Sequence, residues 1–146
     1  MRVAAKAATD EELRAALEAS GHRFTTQRAA VYRFLRNLKT HPTADEIFTR
    51  VREDITDISL ATVYKALEAF VAAGVVRKLE FGGGPARYDG RTDAHDHVRC
   101  LKCGAVRDIV GAHDPDVITG VQSDDGFEIV DYRLELLGYC AACSSQ

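Results

Sequence analysis

His95 and His97 stand two residues apart and run directly into Cys100-Leu101-Lys102-Cys103-Gly104, so imidazole and thiolate donors share one short stretch. In an extended chain side chains alternate between faces, which puts both imidazoles on one face, able to grip a metal ion. Cys100 and Cys103 have the separation of a zinc knuckle, whose sulfurs reach one tetrahedral ion at about 2.3 Å. Cys140 and Cys143 repeat that spacing near the end of the chain, giving Cys-x2-Cys-x36-Cys-x2-Cys, and the sequence has no other cysteine. Four thiolates close the coordination sphere, so the ion they hold is a structural Zn(II). The harder donors are His95, His97, Asp89 and Asp108, with His41 distant in sequence. A mixed imidazole and carboxylate set suits Fe(II), Mn(II) or Zn(II). His22 and His113 are read as surface or hydrogen-bonded residues.

The elements that must position these donors begin with Thr9-Asp10-Glu11-Glu12, a capping box opening a helix through Leu13, Ala16 and Leu17 that Gly21 stops. Val31, Phe34, Leu35 and Leu38 make the apolar stripe of a second helix over about 27–38. Pro42 disfavours helix at His41. Thr43-Ala44-Asp45-Glu46 is a further capping box, with Ala44, Ile47, Phe48 and Val51 on the apolar side of a third helix. Ser59 caps a fourth, running to about residue 73 through Val63, Leu67, Phe70 and Val71, and Gly74 ends it. Val75, Val76, Leu79 and Phe81 then read as a strand, Gly82-Gly83-Gly84-Pro85 as a turn, and Arg87-Tyr88-Asp89 as the return strand. Helices followed by a hairpin form the layout of a winged helix-turn-helix, whose fourth helix here enters the DNA major groove while the hairpin is the wing. On that helix Ser59, Thr62, Tyr64, Lys65 and Glu68 are the exposed candidates for base or phosphate contact, and Arg23, Gln27, Arg28, Arg77 and Lys78 flank it. After a polar link at 91–94, the back half reads as strands at 97–99 and 105–109, a short helix at about 115–122, and a half-buried strand over 127–136 leading into Cys140.

A chain of 146 residues divides naturally into a helical domain, residues 1–88, and a metal-binding domain, residues 89–146. A core of that smaller size benefits from a metal staple. Residues 1–82 carry 13 Lys and Arg against 11 Asp and Glu, while the remainder carries 6 against 11. That asymmetry fits a front half facing an anion and a back half holding cations. No stretch has the apolar length of a signal peptide or a membrane span, and the paired cysteines read as zinc ligands in a reducing compartment, so a soluble cytoplasmic protein without membrane partners is expected.

Arg23-Phe24-Thr25-Thr26-Gln27-Arg28, His41-Pro42-Thr43-Ala44-Asp45-Glu46-Ile47, Ser59-Leu60-Ala61-Thr62-Val63-Tyr64-Lys65-Ala66-Leu67 and His95-Asp96-His97 with Cys100 and Cys103 together resemble the ferric uptake regulator family, from about residue 10 to residue 143. The resemblance implies an α+β chain with an N-terminal winged helix-turn-helix domain followed by a small α/β dimerisation domain carrying the four-cysteine zinc. It implies a homodimer on double-stranded operator DNA, a transcriptional repressor rather than an enzyme. It also implies a regulatory Fe(II) or Mn(II) site, with Zn(II) possible there, built from His41, Asp89, His95, His97 and Asp108.

Aspartate at both Asp89 and Asp108 resembles the peroxide-responsive branch of the family, where iron-sensing members more often carry glutamate. Ala94 and Tyr132 stand near where iron- and zinc-sensing relatives often supply a further histidine. The resemblance to that branch implies that Fe(II) reacts with hydrogen peroxide and that the oxidant modifies His41 or His95. An iron- or zinc-uptake regulator is the alternative within the family. A zinc hydrolase or deaminase is the alternative of another class, but the deaminase pattern fails here because Asp96 lies between the histidines and Arg99 precedes Cys100. A zinc-ribbon interaction module would leave the helical half idle.

Overall fold

The computed structural model describes residues 8–36, 38, 40–80, 84–90, 95–109 and 114–144. These fall into two compact units, one containing the described residues up to Gly90 and the other those from His95 onward. The boundary therefore falls after Asp89, not before it, because Asp89 is the last residue of a strand of the first unit. The expected turn at Gly82 and Gly83, the link 91–94 with Ala94, and His113 lie outside the described residues.

The first unit is built on four helices, α1 Asp10–Ala19, α2 Thr26–Arg36, α3 Ala44–Val51 and α4 Leu60–Ala72, and a two-stranded antiparallel ribbon of β1 Arg77–Leu79 and β2 Arg87–Asp89. Each helix start is set by a hydroxyl that takes a free amide: Thr9 from Glu12, Thr25 from Arg28, Thr43 from Glu46 and Ser59 from Thr62. At Thr43 the Glu46 carboxylate also accepts the Thr43 N–H, completing the reciprocal box. At Thr9 the hydroxyl half of the expected box forms, the Thr9 oxygen accepting the Glu12 N–H. Gly21 and Gly74 end α1 and α4 with φ of 81° and 77°, which a side chain would resist. The helices bury Leu13, Leu17, Val31, Leu35, Ile47, Val63, Leu67 and Phe70 in one core, with the Phe70 ring edge-on to Tyr32. The second helix stops at Arg36, short of Leu38, which is only partly buried.

The second unit holds a three-stranded sheet in the order β4-β3-β5, from β3 Asp96–Cys100, β4 Val106–Ile109 and β5 Glu135–Gly138, followed by a short helix α5, Ala141–Ser144. β3 pairs β4 in antiparallel register, His97 opposite Asp108, and pairs β5 in parallel register, His97 opposite Glu135. The expected helix at 115–122 is a 3-10 turn, Pro115–Gly120, capped by Asp114. The expected strand over 127–136 is overturned. Only its end, from Glu135, joins the sheet, and Phe127 and Val130 are 74% and 78% exposed. Alternating apolar residues make a chain able to be a strand, but a ladder partner makes it one, and among the described residues β3 offers that edge only from His97 to Cys100.

Candidate metal centres and nucleic-acid face

The four cysteines come together. Cys100 ends β3, Cys103 closes the turn that follows, and Cys140 and Cys143 bracket the start of α5. Their sulfurs all lie within 4.8 Å of one another, and Cys103 Sγ stands 3.8 Å from Cys140 Sγ. A tetrahedron with metal–sulfur bonds of about 2.3 Å has edges of about 3.8 Å, so the pair has the separation of two ligands on one zinc. The turn is closed by Gly104 N–H donating to the Cys100 carbonyl at 3.0 Å, with Gly104 at φ 79°. The Cys140 N–H points at Cys100 Sγ at 3.4 Å. Such N–H groups favour thiolate: the Cys103 amide first, then that of Cys140, draws the Cys100 thiol down to about 6. Cys140 is lowered chiefly by the Cys143 amide, whereas Cys143 is pushed up to about 12, first by its hydrogen bond to Cys140. Four sulfurs this close cannot all be anionic without a cation among them, which is the fit a divalent ion meets.

The harder donors form one group in each unit. In the first, His41 Nδ1 lies 3.7 Å from Asp89 Oδ1, both side chains buried. His41 sits between α2 and the cap of α3, and Asp89 closes β2. The segment carrying His41 is fixed against that strand: Tyr88 N–H donates to the Pro42 carbonyl at 2.9 Å, Thr43 bridges Arg87, and Arg87 Nη1 donates to the His41 carbonyl at 2.9 Å. In the second unit His95 Nε2 and His97 Nε2 converge on the same Asp108 Oδ1, at 3.2 and 3.3 Å, with their rings 4.7 Å apart. Donors bonded to one ion at about 2.1 Å stand about 3.0 to 3.4 Å apart in octahedral or tetrahedral geometry, so these separations fit ligands of a shared ion. His95 and His97 reach one oxygen because His95, the residue before β3, and His97 within it stand two positions apart, and the register of β3 with β4 sets Asp108 opposite His97.

Sequence reasoning missed the contact of Arg87 with the His41 carbonyl; no spacing signals a bond between residues 46 positions apart.

The candidate DNA residues lie on the first unit. Along α4, Tyr64 and Lys65 are exposed beside Glu68, while Val63, Ala66 and Leu67 are buried on the opposite side. Thr62 is half-buried, and its Oγ1 lies 2.8 Å from Ser59 Oγ. Ser59 is exposed, but its hydroxyl is engaged in capping. Arg23 is exposed, Gln27 and Arg28 are half-buried, and Arg28 Nη1 donates to the Arg23 carbonyl at 2.8 Å.

The ferric uptake regulator family model matches residues 19–137. The peroxide-responsive repressor PerR of Staphylococcus aureus is 35% identical over 136 residues, covering 93% of this chain and 92% of that protein. Among solved structures, the Helicobacter pylori ferric uptake regulator Fur superposes with a TM-score of 0.76 at 22% identity, covering 96% of this chain and 97% of that one, a likeness of fold. A zinc-bound manganese uptake regulator gives 0.68 at 32% identity, covering 91% and 99%. The ferric uptake regulator of Pseudomonas aeruginosa with manganese gives 0.66 at 30%, covering 87% and 96%. Four cysteine sulfurs gathered within 4.8 Å of one another, imidazoles paired with aspartates, and a match across most of the chain agree: this protein belongs to the ferric uptake regulator family.

Proposed function

We propose that the chain is a metal-dependent transcriptional repressor that binds operator DNA as a homodimer and senses hydrogen peroxide through its ligand histidines. The observation that carries the reading is the pairing of buried imidazole with aspartate in each unit, His41 with Asp89 and His95 and His97 with Asp108. Neither group alone fills a coordination sphere, and the five donors together make one regulatory site for Fe(II) or Mn(II). Cys100, Cys103, Cys140 and Cys143 hold Zn(II) separately and permanently. Donors from both units that share one ion restrict the units to one relative orientation. In a two-fold dimer that orientation sets the spacing of the α4 helices against half-sites about 34 Å apart. A swing from mostly inactive to mostly active takes about 5.5 kcal/mol of differential metal affinity, within reach of a five-donor site.

His41 and His95 would hold Fe(II) where, when bound, it would lend an electron to hydrogen peroxide and regain it from the oxidised ring, so that the peroxide is the net two-electron oxidant. His41 or His95 then takes up one oxygen in place of a ring carbon's hydrogen, and water leaves with the other oxygen of the peroxide. An oxidised ring is a poorer donor, the five-donor set is broken, and the repressor leaves its operator. The likeness to the Staphylococcus aureus repressor supports this branch. The dimer is supported by the second unit's exposed Phe127, Val130, Leu137 and Tyr139, an apolar surface of the kind an interface covers.

The test loads the zinc-containing protein anaerobically with Fe(II) or Mn(II), adds hydrogen peroxide, and follows a palindromic operator fragment together with the mass of the His41 and His95 peptides. The expected result is metal-dependent binding, lost with a gain of one oxygen in the iron form only. A fully active, unmodified iron form would instead support a metal-uptake regulator, the reading favoured by the likeness to the manganese uptake regulator and the Pseudomonas protein. His41→Ala should weaken metal-activated binding while leaving fold and dimer intact, as read by circular dichroism and sedimentation.

A further inference from the structure

The first unit contains a guanidinium whose contact serves neither the zinc staple nor the DNA face. Arg87 opens β2 and turns its side chain back to the carbonyl of His41. Its neighbours tie the same segment down: Tyr88 N–H holds the Pro42 carbonyl, the Arg87 backbone bridges Thr43, and the Asp89 carboxylate faces the His41 ring. Residues 41–43 are therefore tied to the edge of the two-stranded wing by one isolated bridge and one backbone hydrogen bond, as a strand would begin. Pro42 has no N–H to give to a ladder, so this segment cannot extend in the regular way. At His41 a side-chain donor does what the ladder cannot, and a charged donor makes the stronger kind of hydrogen bond.

We propose that Arg87 is a positioning residue of the regulatory site: by holding the His41 carbonyl it fixes the backbone from which the imidazole reaches Asp89, and makes the wing sheet the carrier of both donors. This rests on the reading of His41 and Asp89 as metal ligands. Charge alone argues the opposite effect, since a cation near a cation-binding pair repels the ion. The sign of the change on removing Arg87 therefore separates position from charge. If charge governs, the variant binds metal more tightly. If position governs, it binds more weakly.

The experiment titrates the zinc-containing full-length protein with Co(II), following the visible ligand-field bands of the second site, for Arg87→Met, Arg87→Lys and His41→Ala. Arg87→Met keeps the apolar stem and removes donor and charge. Its Co(II) affinity is expected to fall about tenfold, the loss equivalent to one such bond, with altered bands and a metal-free melting temperature close to the parent's. Arg87→Lys, which retains a charged donor, is expected to recover part of both, and it carries the test if Arg87→Met does not fold. Unchanged or increased affinity with unaltered bands in Arg87→Met overturns the proposal, as does a lower melting temperature with unaltered bands. His41→Ala distinguishes the two levels. If it leaves the bands unchanged, the ligand reading fails and the role of Arg87 with it; if it abolishes them while Arg87→Met does not alter them, the positioning role alone fails.

Discussion

At Asp108 one carboxylate oxygen faces two imidazole nitrogens at 3.2 and 3.3 Å, and that side chain is only 16% exposed. A single negative charge so placed attracts a cation that both rings can also ligate. Asp108→Asn keeps the shape and a carbonyl oxygen but removes the charge. Mn(II) affinity, measured by titration of the zinc-containing protein, should fall by at least about tenfold, in line with the loss of a charged partner, while zinc content stays at one per chain. Cys100 calls for the opposite result. It is buried and accepts the Cys140 N–H, and a structural zinc contributes roughly 10 to 16 kcal/mol to the fold that holds it. Cys100→Ser should lose zinc by elemental analysis and leave the second unit unfolded, with the helical signal of the first retained.

The helices and strands deliver these residues through their ends. Ser59 shows how an element can occupy a residue that chemistry might otherwise claim: its hydroxyl caps α4, so Ser59→Ala should lower stability by about 1 kcal/mol in urea unfolding. Lys65, exposed on the same helix, should behave differently. Lys65→Ala is expected to change stability by less than about 0.5 kcal/mol and to reduce the salt dependence of operator binding by about one phosphate's worth. Where β2 ends, Gly90 passes the end of α2 so closely that an added Cβ would lie 3.0 Å from the Leu35 carbonyl oxygen and 3.1 Å from Arg36 Cα. Both are backbone atoms that cannot swing aside. Gly90→Ala should therefore cost about 1 to 3 kcal/mol, read as a lowered urea midpoint, because it pries the Asp89 strand from the helix that precedes His41.

Taken whole, the molecule distributes its core unevenly. Of the buried hydrophobic residues described, only Cys100 and Val106 belong to the second unit; the others, from Leu13 to Tyr88, lie in the first. Among the described residues the exposed large hydrophobics divide the other way, with Tyr64 alone in the first unit and Leu101, Phe127, Val130, Leu137 and Tyr139 among those in the second. A unit so poor in buried apolar surface draws its stability from the zinc cluster and from whatever covers its apolar face. Stripping zinc with a chelator should consequently melt the second unit, and with it the proposed dimer, while the helical unit keeps its circular dichroism. No described helix is long and apolar enough to cross a membrane.

What the sequence determined by itself was local. Thr43 and Ser59 announced their helices because a cap is a matter of three residues, and the stripes through Leu35, Ile47 and Leu67 declared buried faces because a helix turns every 3.6 residues. The two cysteine pairs revealed a zinc site because tetrahedral thiolate coordination leaves few other uses for them. The candidate ligands His95 and His97 were visible as neighbours on one strand face and Asp89 and Asp108 as carboxylates of a matching donor type, whereas His41 was joined to them chiefly by resemblance. The tertiary structure decided what depends on distant partners. The strand read across 127–136 shrank to β5 because Glu135 pairs with His97 and Arg99 bonds a carboxylate 36 residues away. Arg87 found the His41 carbonyl across 46 positions. Asp89 went to the helical unit because its strand pairs with β1. A residue's type fixes what it can bond, but a long loop can close in many ways, and only the packing of the whole chain chooses the partner that is brought within reach.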